Sequence, residues 1–183
     1  MLRGLEYVVL AGLPRDTMPP DYDPFKTREV AEEFAQDQER MRAVRHVYGY
    51  DHGEKGQRAA SVDTFDYFEP QITQALRLAG LHWGHMYGLE QEGLEHFIEL
   101  VPLLYAHREL RRLRQSASPK PWESNDMADL NGLGAAIVYC DVVVTERSWA
   151  AFARRAGLCE RFGTTVISRL SDLTEPLVGA PSR

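Results

Sequence analysis

Three carboxylates in this 183-residue chain have types and spacing suited to joint chemistry. Asp126 and Asp129 lie three residues apart, so on a helix they share one face. Glu146 directly follows Asp141-Val142-Val143-Val144-Thr145, a β-branched apolar run too short for a helix, which predicts a strand covered on both sides. Open α/β sheets keep their ligand sites just beyond the carboxyl ends of their strands, so the two helix acids and Glu146 can meet there. Crowded carboxylates raise one another's pKa until a cation arrives, and such a cluster is unfavourable unless it binds something. The plainer reading assigns each acid to its own backbone. Asp126 at a helix start stabilises the positive end of the macrodipole by about 0.5–1 kcal/mol. Ser124 or Asn125 then serves as the cap, Glu146 does for the next helix what Asp126 does for its own, and Asp141 hydrogen-bonds at the strand's entrance.

Two other clusters carry chemistry-bearing types. His82 and His85 lie three apart, but flanking glycine and the lack of a nearby cysteine or acid pattern argue against a zinc site. His107, Arg108, Arg111, Arg112, Arg114 and Lys120 form a basic strip, which suits either phosphate contact or a solvated helix face.

The elements that must position these residues follow from periodicity. The length fits one domain, or one domain with a helical extension, and 44% hydrophobic content allows a real core. No apolar run is long enough to cross a bilayer, and the N-terminus has no signal-peptide pattern, so the expected location is cytoplasmic, with no membrane association. Cys140 and Cys159 sit in apolar contexts and are expected to be buried thiols. The net charge of −6 argues against a nucleic-acid coat protein while leaving nucleic-acid substrates open.

Along the chain, residues 1–13 have the spacing of a short helix and Pro14–Pro24 forms a connector. Thr27 caps a helix to about Tyr48, whose core face is Val30, Phe34, Met41, Val44 and Val47. Gly49–Arg58 reads as a loop. Helical spacing returns over Ser61–Leu81, with Pro70 breaking or restarting it. A helix through Leu89, Leu94, Phe97, Ile98 and Val101 breaks at Pro102. The next runs to about Gln115 with Leu103, Leu110 and Leu113 inward and its arginines outward. Trp122, after a loop, packs on the core.

Beyond the carboxylate stretch come a helix over Trp149–Leu158, with Arg154 and Arg155 in water, and a second strand over Thr164–Ile167. A last helical turn over Asp172–Leu177 precedes a disordered tail at 179–183. The fold class is therefore α/β but predominantly helical, with a helical region over 1–115, a βα core over 116–178 and a small parallel sheet flanked by helices. Two short parallel strands rarely stand alone, which suggests a sheet whose central strand lies outside this chain.

The run from Asn125 through Glu146 to Trp149, with the strand at Thr164–Ile167, resembles the C-terminal half of a PIN or PIN-like ribonuclease domain. In that family an acid opens a helix of small residues, and a strand ends in Thr or Ser followed at once by an acidic or amide residue. Asp129 matches the helix acid, Asp126 lies one turn earlier, and Thr145-Glu146 matches the strand-end pair. Tyr139 to Glu146 looks particularly like a group of bacterial PIN-like proteins. The likeness covers roughly residues 97–178. It departs where the family opens with a strand ending in Asp, because Glu6 precedes its apolar run and none of Glu29, Glu32 and Glu33 stands out as a second ligand. That departure implies either a chain begun downstream of the usual start or a diverged domain, and the missing strand favours the former.

The resemblance implies a Mg²⁺- or Mn²⁺-dependent ribonuclease, toxin-like in character, acting on single-stranded or loop RNA. Asp129 and Glu146 would be the leading metal ligands, with Asp126 an additional ligand or an acceptor behind them. Thr145 would orient a water or Glu146 itself, and Arg111, Arg112, Arg114 and Lys120 would contact the RNA backbone. A non-catalytic helical binding module or nuclease remnant is the alternative. A third arrangement has a protein partner, or a second copy, completing the site at an open sheet edge.

Overall fold

The computed structural model describes residues 24–50, 53–87 and 91–173. The readings made over residues 1–23, at Leu89 and beyond Leu173 lie outside these. The described chain is mostly helical: α1 (Pro24–Tyr48), α2 (Gly53–Tyr67), α3 (Glu69–Leu78), α4 (Trp83–Tyr87), α5 (Gln91–Leu100), α6 (Pro102–Ala117), α7 (Ser124–Tyr139), β1 (Val142–Val144), α8 (Arg147–Arg155), α9 (Leu158–Phe162) and β2 (Thr165–Ile167), then a 3₁₀ turn at Leu170–Leu173.

Proline sets several of these boundaries. Pro24 and Pro102 open α1 and α6, where a missing N–H costs nothing, and Pro70 lies in the first turn of α3, restarting the helix after Tyr67. The α1 start at Pro24 places Thr27 inside the first turn instead of ahead of it. The segment read as a loop from Gly49 is helical from Gly53 onward, and Gly49 and Gly53 have φ of 69° and 65°.

α6 is the central strut, packing against α2, α5, α7 and α8, while α1 lies along α7. The larger core gathers Phe34, Leu110, Leu113, Trp122, Leu130, Ile137, Val143, Trp149, Phe152 and Val166. A smaller one holds Ile72, Leu76, Ile98 and Leu104. Each such side chain contributes about 1.5–3 kcal/mol on burial. Trp122 is buried, as its size suggests, and its indole donates to Gln115.

The inward face of α1 is Ala31, Phe34, Ala35, Gln38 and Arg45, whereas Val30, Met41, Val44 and Val47 are exposed. The polar members are inward because α6 needs them: Gln38 accepts from Arg111 Nε at 2.9 Å, and its carbonyl accepts from Gln115. The expectation that the α6 arginines point outward is overturned for the same reason. Arg108, Arg111 and Arg114 recur every third residue on one buried face, and each meets a carboxylate from a different element.

β1 and β2 pair in parallel, with Val142 opposite Thr165, Val143 opposite Val166 and Val144 opposite Ile167. Thr145 N–H donates to Ile167 O at 3.0 Å, extending the ladder by one residue. Thr164 Oγ1 lies 2.5 Å from Ile137 O and 2.9 Å from Cys140 O, tying the start of β2 to the end of α7. Only Val143 and Val166 face the core. Val144 is exposed, so β1 is half-buried instead of covered on both sides, a consequence of a sheet with two strands among the described residues. Cys140 is exposed and Cys159 half-buried, which corrects the expectation of two buried thiols. No helix among the described residues is long and apolar enough to cross a membrane.

Candidate carboxylate site at the end of β1

The site begins with how α7 starts. Glu123 occupies the N-cap position, and the Asp126 carboxylate accepts its backbone N–H at 2.8 Å, as an acid at the third helical position can. The same carboxylate receives Arg114 Nη2 at 2.7 Å and Nε at 3.3 Å. Asp126 is therefore committed to structure, as the plainer reading has it, although the cap residue is Glu123 and not Ser124 or Asn125.

Asp129 sits one turn further along, half-buried. Its carboxyl is held above the usual carboxylate range, first by burial, then by the charge of Glu146, then by that of Asp126; the Trp149 indole donates a hydrogen bond that draws it partly back. Asp129 therefore feels the charges of both Glu146 and Asp126, near the carboxyl end of β1. Glu146 is the N-cap of α8, in extended backbone, and its carbonyl accepts Ala150 N–H at 2.8 Å. Its carboxylate makes no capping hydrogen bond, but it sits at the positive end of the α8 macrodipole, as the plainer reading has it. Thr145 joins the strand end to Glu146 and is half-buried.

Trp149 escaped the sequence reading as a site residue because an indole in an amphipathic helix reads as core. It is core, at 2% exposure, with its indole N–H toward Asp129, whose pKa it lowers. Arg147 was also passed over: it is exposed, directly after Glu146, and its place in the sequence was the only available signal.

The basic strip divides differently. Arg111 is buried, donating to Gln38 Oε1 at 2.9 Å and to Asp63 O at 2.7 Å, and burial lowers its pKa to about 10, with Asp63 opposing. Arg114, besides Asp126, donates to Lys120 O at 3.0 Å and Pro121 O at 2.7 Å and lies over the Trp122 ring, 4.7 Å from its centroid. Arg108 is tied to Glu95 at 2.7 Å. Arg112 forks onto Glu109 at 2.7 and 3.0 Å and is about a third exposed. Lys120 is exposed. Of the four residues expected to contact RNA, Arg112 and Lys120 reach solvent and Arg111 and Arg114 do not.

His82 and His85 are exposed, and both are engaged at the start of α4: Gly84 N–H donates to His82 Nδ1 at 3.1 Å and His82 N–H to His85 Nδ1 at 3.2 Å. Among the described residues no three His, Cys, Asp or Glu side chains close on a point that would hold a metal ion. With Asp126 held to Arg114, the end of β1 offers the pair Asp129 and Glu146. Two carboxylates suit Mg²⁺ or Mn²⁺, which keep several waters, and do not suit zinc, which wants nitrogen or sulfur. Clefts of about 490 and 530 Å³ lie between α2 and α5, and none of the three acids lines either.

Compared with protein-family models, curated proteins and solved structures, the chain matches none.

Proposed function

We propose that this chain carries the metal-holding carboxylates of a PIN-like ribonuclease site, with Asp129 and Glu146 as the pair that binds Mg²⁺ or Mn²⁺. One observation carries the reading. Asp129 is pressed by burial and by two other acids at the carboxyl end of a parallel strand, an arrangement that is costly unless a cation relieves it. When bound, such an ion supplies an activated water and neutralises charge on the phosphodiester.

The chain's own residues divide the remaining work. Asp129 and Glu146 hold the ion. Trp149 fixes the Asp129 carboxyl through its indole N–H. Asp126, neutralised by Arg114, sets the start of α7 instead of ligating. Thr145 orients a water or Glu146 itself. Arg112, Lys120 and Arg147 are the solvent-facing cations available to a single-stranded or looped RNA.

A second reading, a non-catalytic helical binding module descended from a nuclease, is favoured by the burial of Arg111 and Arg114, which leaves less cationic surface for a polyanion. The two are separated by incubating the protein with single-stranded RNA and Mn²⁺. Cleavage that is lost in Asp129→Asn and in Glu146→Gln supports the first reading. A folded protein with neither Mn²⁺ affinity nor cleavage leaves the second.

A further inference from the structure

α2 and α5 pack side by side on α6, and two clefts between them adjoin at Arg58 and Glu95, which line both. The cleft of about 530 Å³ is mostly apolar, with Tyr50, Ala59, Val62 and Leu94 in its lining. Val62 is 50% exposed and Tyr50 40%. Tyr50 stacks on the exposed Tyr48, 6.1 Å between centroids, which carries the apolar surface onto the end of α1. The cleft of about 490 Å³ is acidic, lined by Glu54, Glu92, Glu95 and Glu99. Glu92, Glu95 and Glu99 lie three and four residues apart on α5, a spacing at which like charges repel. Glu95 is tied to Arg108 and Glu54 to Arg58, while Glu92 and Glu99 have no ion pair among the described residues. Arg161 reaches Glu99 only at its backbone carbonyl.

We propose that this groove docks a basic amphipathic helix of a partner protein: large apolar side chains enter beside Tyr50, Val62 and Leu94, and lysines or arginines one to two turns further along meet Glu92 and Glu99. Charge complementarity selects the occupant. An apolar cleft alone accepts many side chains, but one that opens onto unpaired carboxylates disfavours an acidic segment and repels nucleic acid. The carboxylates of α5 recur once per turn, about 5.4 Å apart, which is the repeat of cations placed at i, i+3 or i+4 and i+7 on a facing helix. Two helices that already lie together on α6 offer a third the ridges and grooves it needs. A second copy fits less well, because Arg28, Arg40 and Arg58 on α1 and α2 are each held by a carboxylate of their own helix. The groove is separate from the Asp129–Glu146 reading, since none of the three acids lines either cleft.

The test uses the full chain and a fluorescent helical peptide that carries two leucines one turn apart and lysines at one-turn spacing beyond them. A scrambled peptide of the same composition is the control. Affinity is read by anisotropy, and the bound site by NMR shift changes. The peptide should shift the Tyr50, Val62 and Leu94 signals and bind at least tenfold more tightly than its scrambled form. Val62→Asp adds negative charge, so attraction by charge alone would persist or tighten in it, whereas a docked leucine would be expelled and affinity should fall at least tenfold. Glu92→Lys combined with Glu99→Lys should weaken binding at least as much. All three positions are exposed, so both variants should melt with the wild type. Equal binding of the two peptides, binding that survives Val62→Asp, or no shift in the groove overturns the proposal. Self-association through these same residues also overturns it and gives the groove to a second copy.

Discussion

Asp126 and Asp129 share a face of α7, yet the structure gives them opposite signs in stability. Arg114 and Asp126 form a pair whose side chains are 6% and 12% exposed. Removing one partner of a buried pair costs about 3–5 kcal/mol. Arg114 keeps two carbonyls and the Trp122 ring, which places Asp126→Ala at the low end, and loss of the acceptor for Glu123 N–H adds to it. A total of about 3–4 kcal/mol corresponds, at about 2–4 °C per kcal/mol for a chain of this size, to a Tm lower by roughly 6–16 °C. Asp129→Asn should not destabilise. Its folded pKa is raised, so the charged form is disfavoured by the fold; the penalty is present at pH 7 and disappears as pH falls through the folded value. The variant should therefore melt at or above the wild type at pH 7 and lose that advantage in acid. With Mn²⁺ at ten times its Kd the wild type should gain about 1.4 kcal/mol, a rise of about 3–6 °C, and Asp129→Asn should gain none. Calorimetry on the three proteins at two pH values, with and without MnCl₂, reads all of this. An Asp129→Asn protein as unstable as Asp126→Ala, or one that keeps the Mn²⁺ shift, would refute the assignment of Asp129 to a binding role.

Asp63→Ala strips the carboxylate from Arg45 and Arg111, both about 95% buried, and should lower stability by about 3–5 kcal/mol; a urea-midpoint change equivalent to less than 1 kcal/mol contradicts the network. His107 is fully buried against Tyr67 and Phe68, with its pKa lowered to about 3 by burial first and by Arg111 next. Because the unfolded chain binds that proton from about pH 6.5 downward, His107 should remove up to about 1.4 kcal/mol of stability per pH unit between those values. His107→Phe should flatten that part of the stability–pH curve. Cys140 is exposed, whereas the Cys159 thiol is pushed up by burial and by Glu160. A thiol reagent at pH 8 should modify Cys140 first, and equal rates at the two positions contradict the structure.

What was legible in the sequence was what local chemistry decides. The β-branched run at 142–144, the strand at 165–167, the restarts at Pro70 and Pro102 and the buried Trp122 each follow from residue type within a few positions. The α6 arginines point inward, against the sequence expectation, because their burial depends on partners 12 to 48 residues away: Glu95 for Arg108, Asp63 for Arg111 and Asp126 for Arg114. A charge with no local partner reads as solvated, and only the tertiary fold shows otherwise. The same network explains α1. Of its visible apolar stripe Phe34 is inward, but Val30, Met41, Val44 and Val47 are exposed while Gln38 and Arg45 are buried, because α6 and Asp63 take polar partners there. At the carboxylate stretch, the placing of Asp126 and Asp129 on one helix and of Glu146 just past β1 was legible from spacing and strand polarity, but the pairing of Asp126 with Arg114 was not, since it depends on where Arg114 points.

That division gives the buried arginines a part in the site without contact with any substrate. Replacing a buried ion pair with apolar residues is often neutral for stability, so three such arginines on one helix are poorly explained as stabilisers. They are better explained by geometry. Each ties α6 to a different neighbour, and the Arg114–Asp126 pair fixes the rotation of α7, because the fork of a guanidinium donates to a carboxylate only in a narrow set of orientations. With Asp126 so held, Asp129 is carried onto the same face and toward the end of β1, where Trp149 receives it. Pairing Asp126 with Arg114 also changes the electrostatics: of the three acids, Asp129 and Glu146 are left without an ion pair among the described residues.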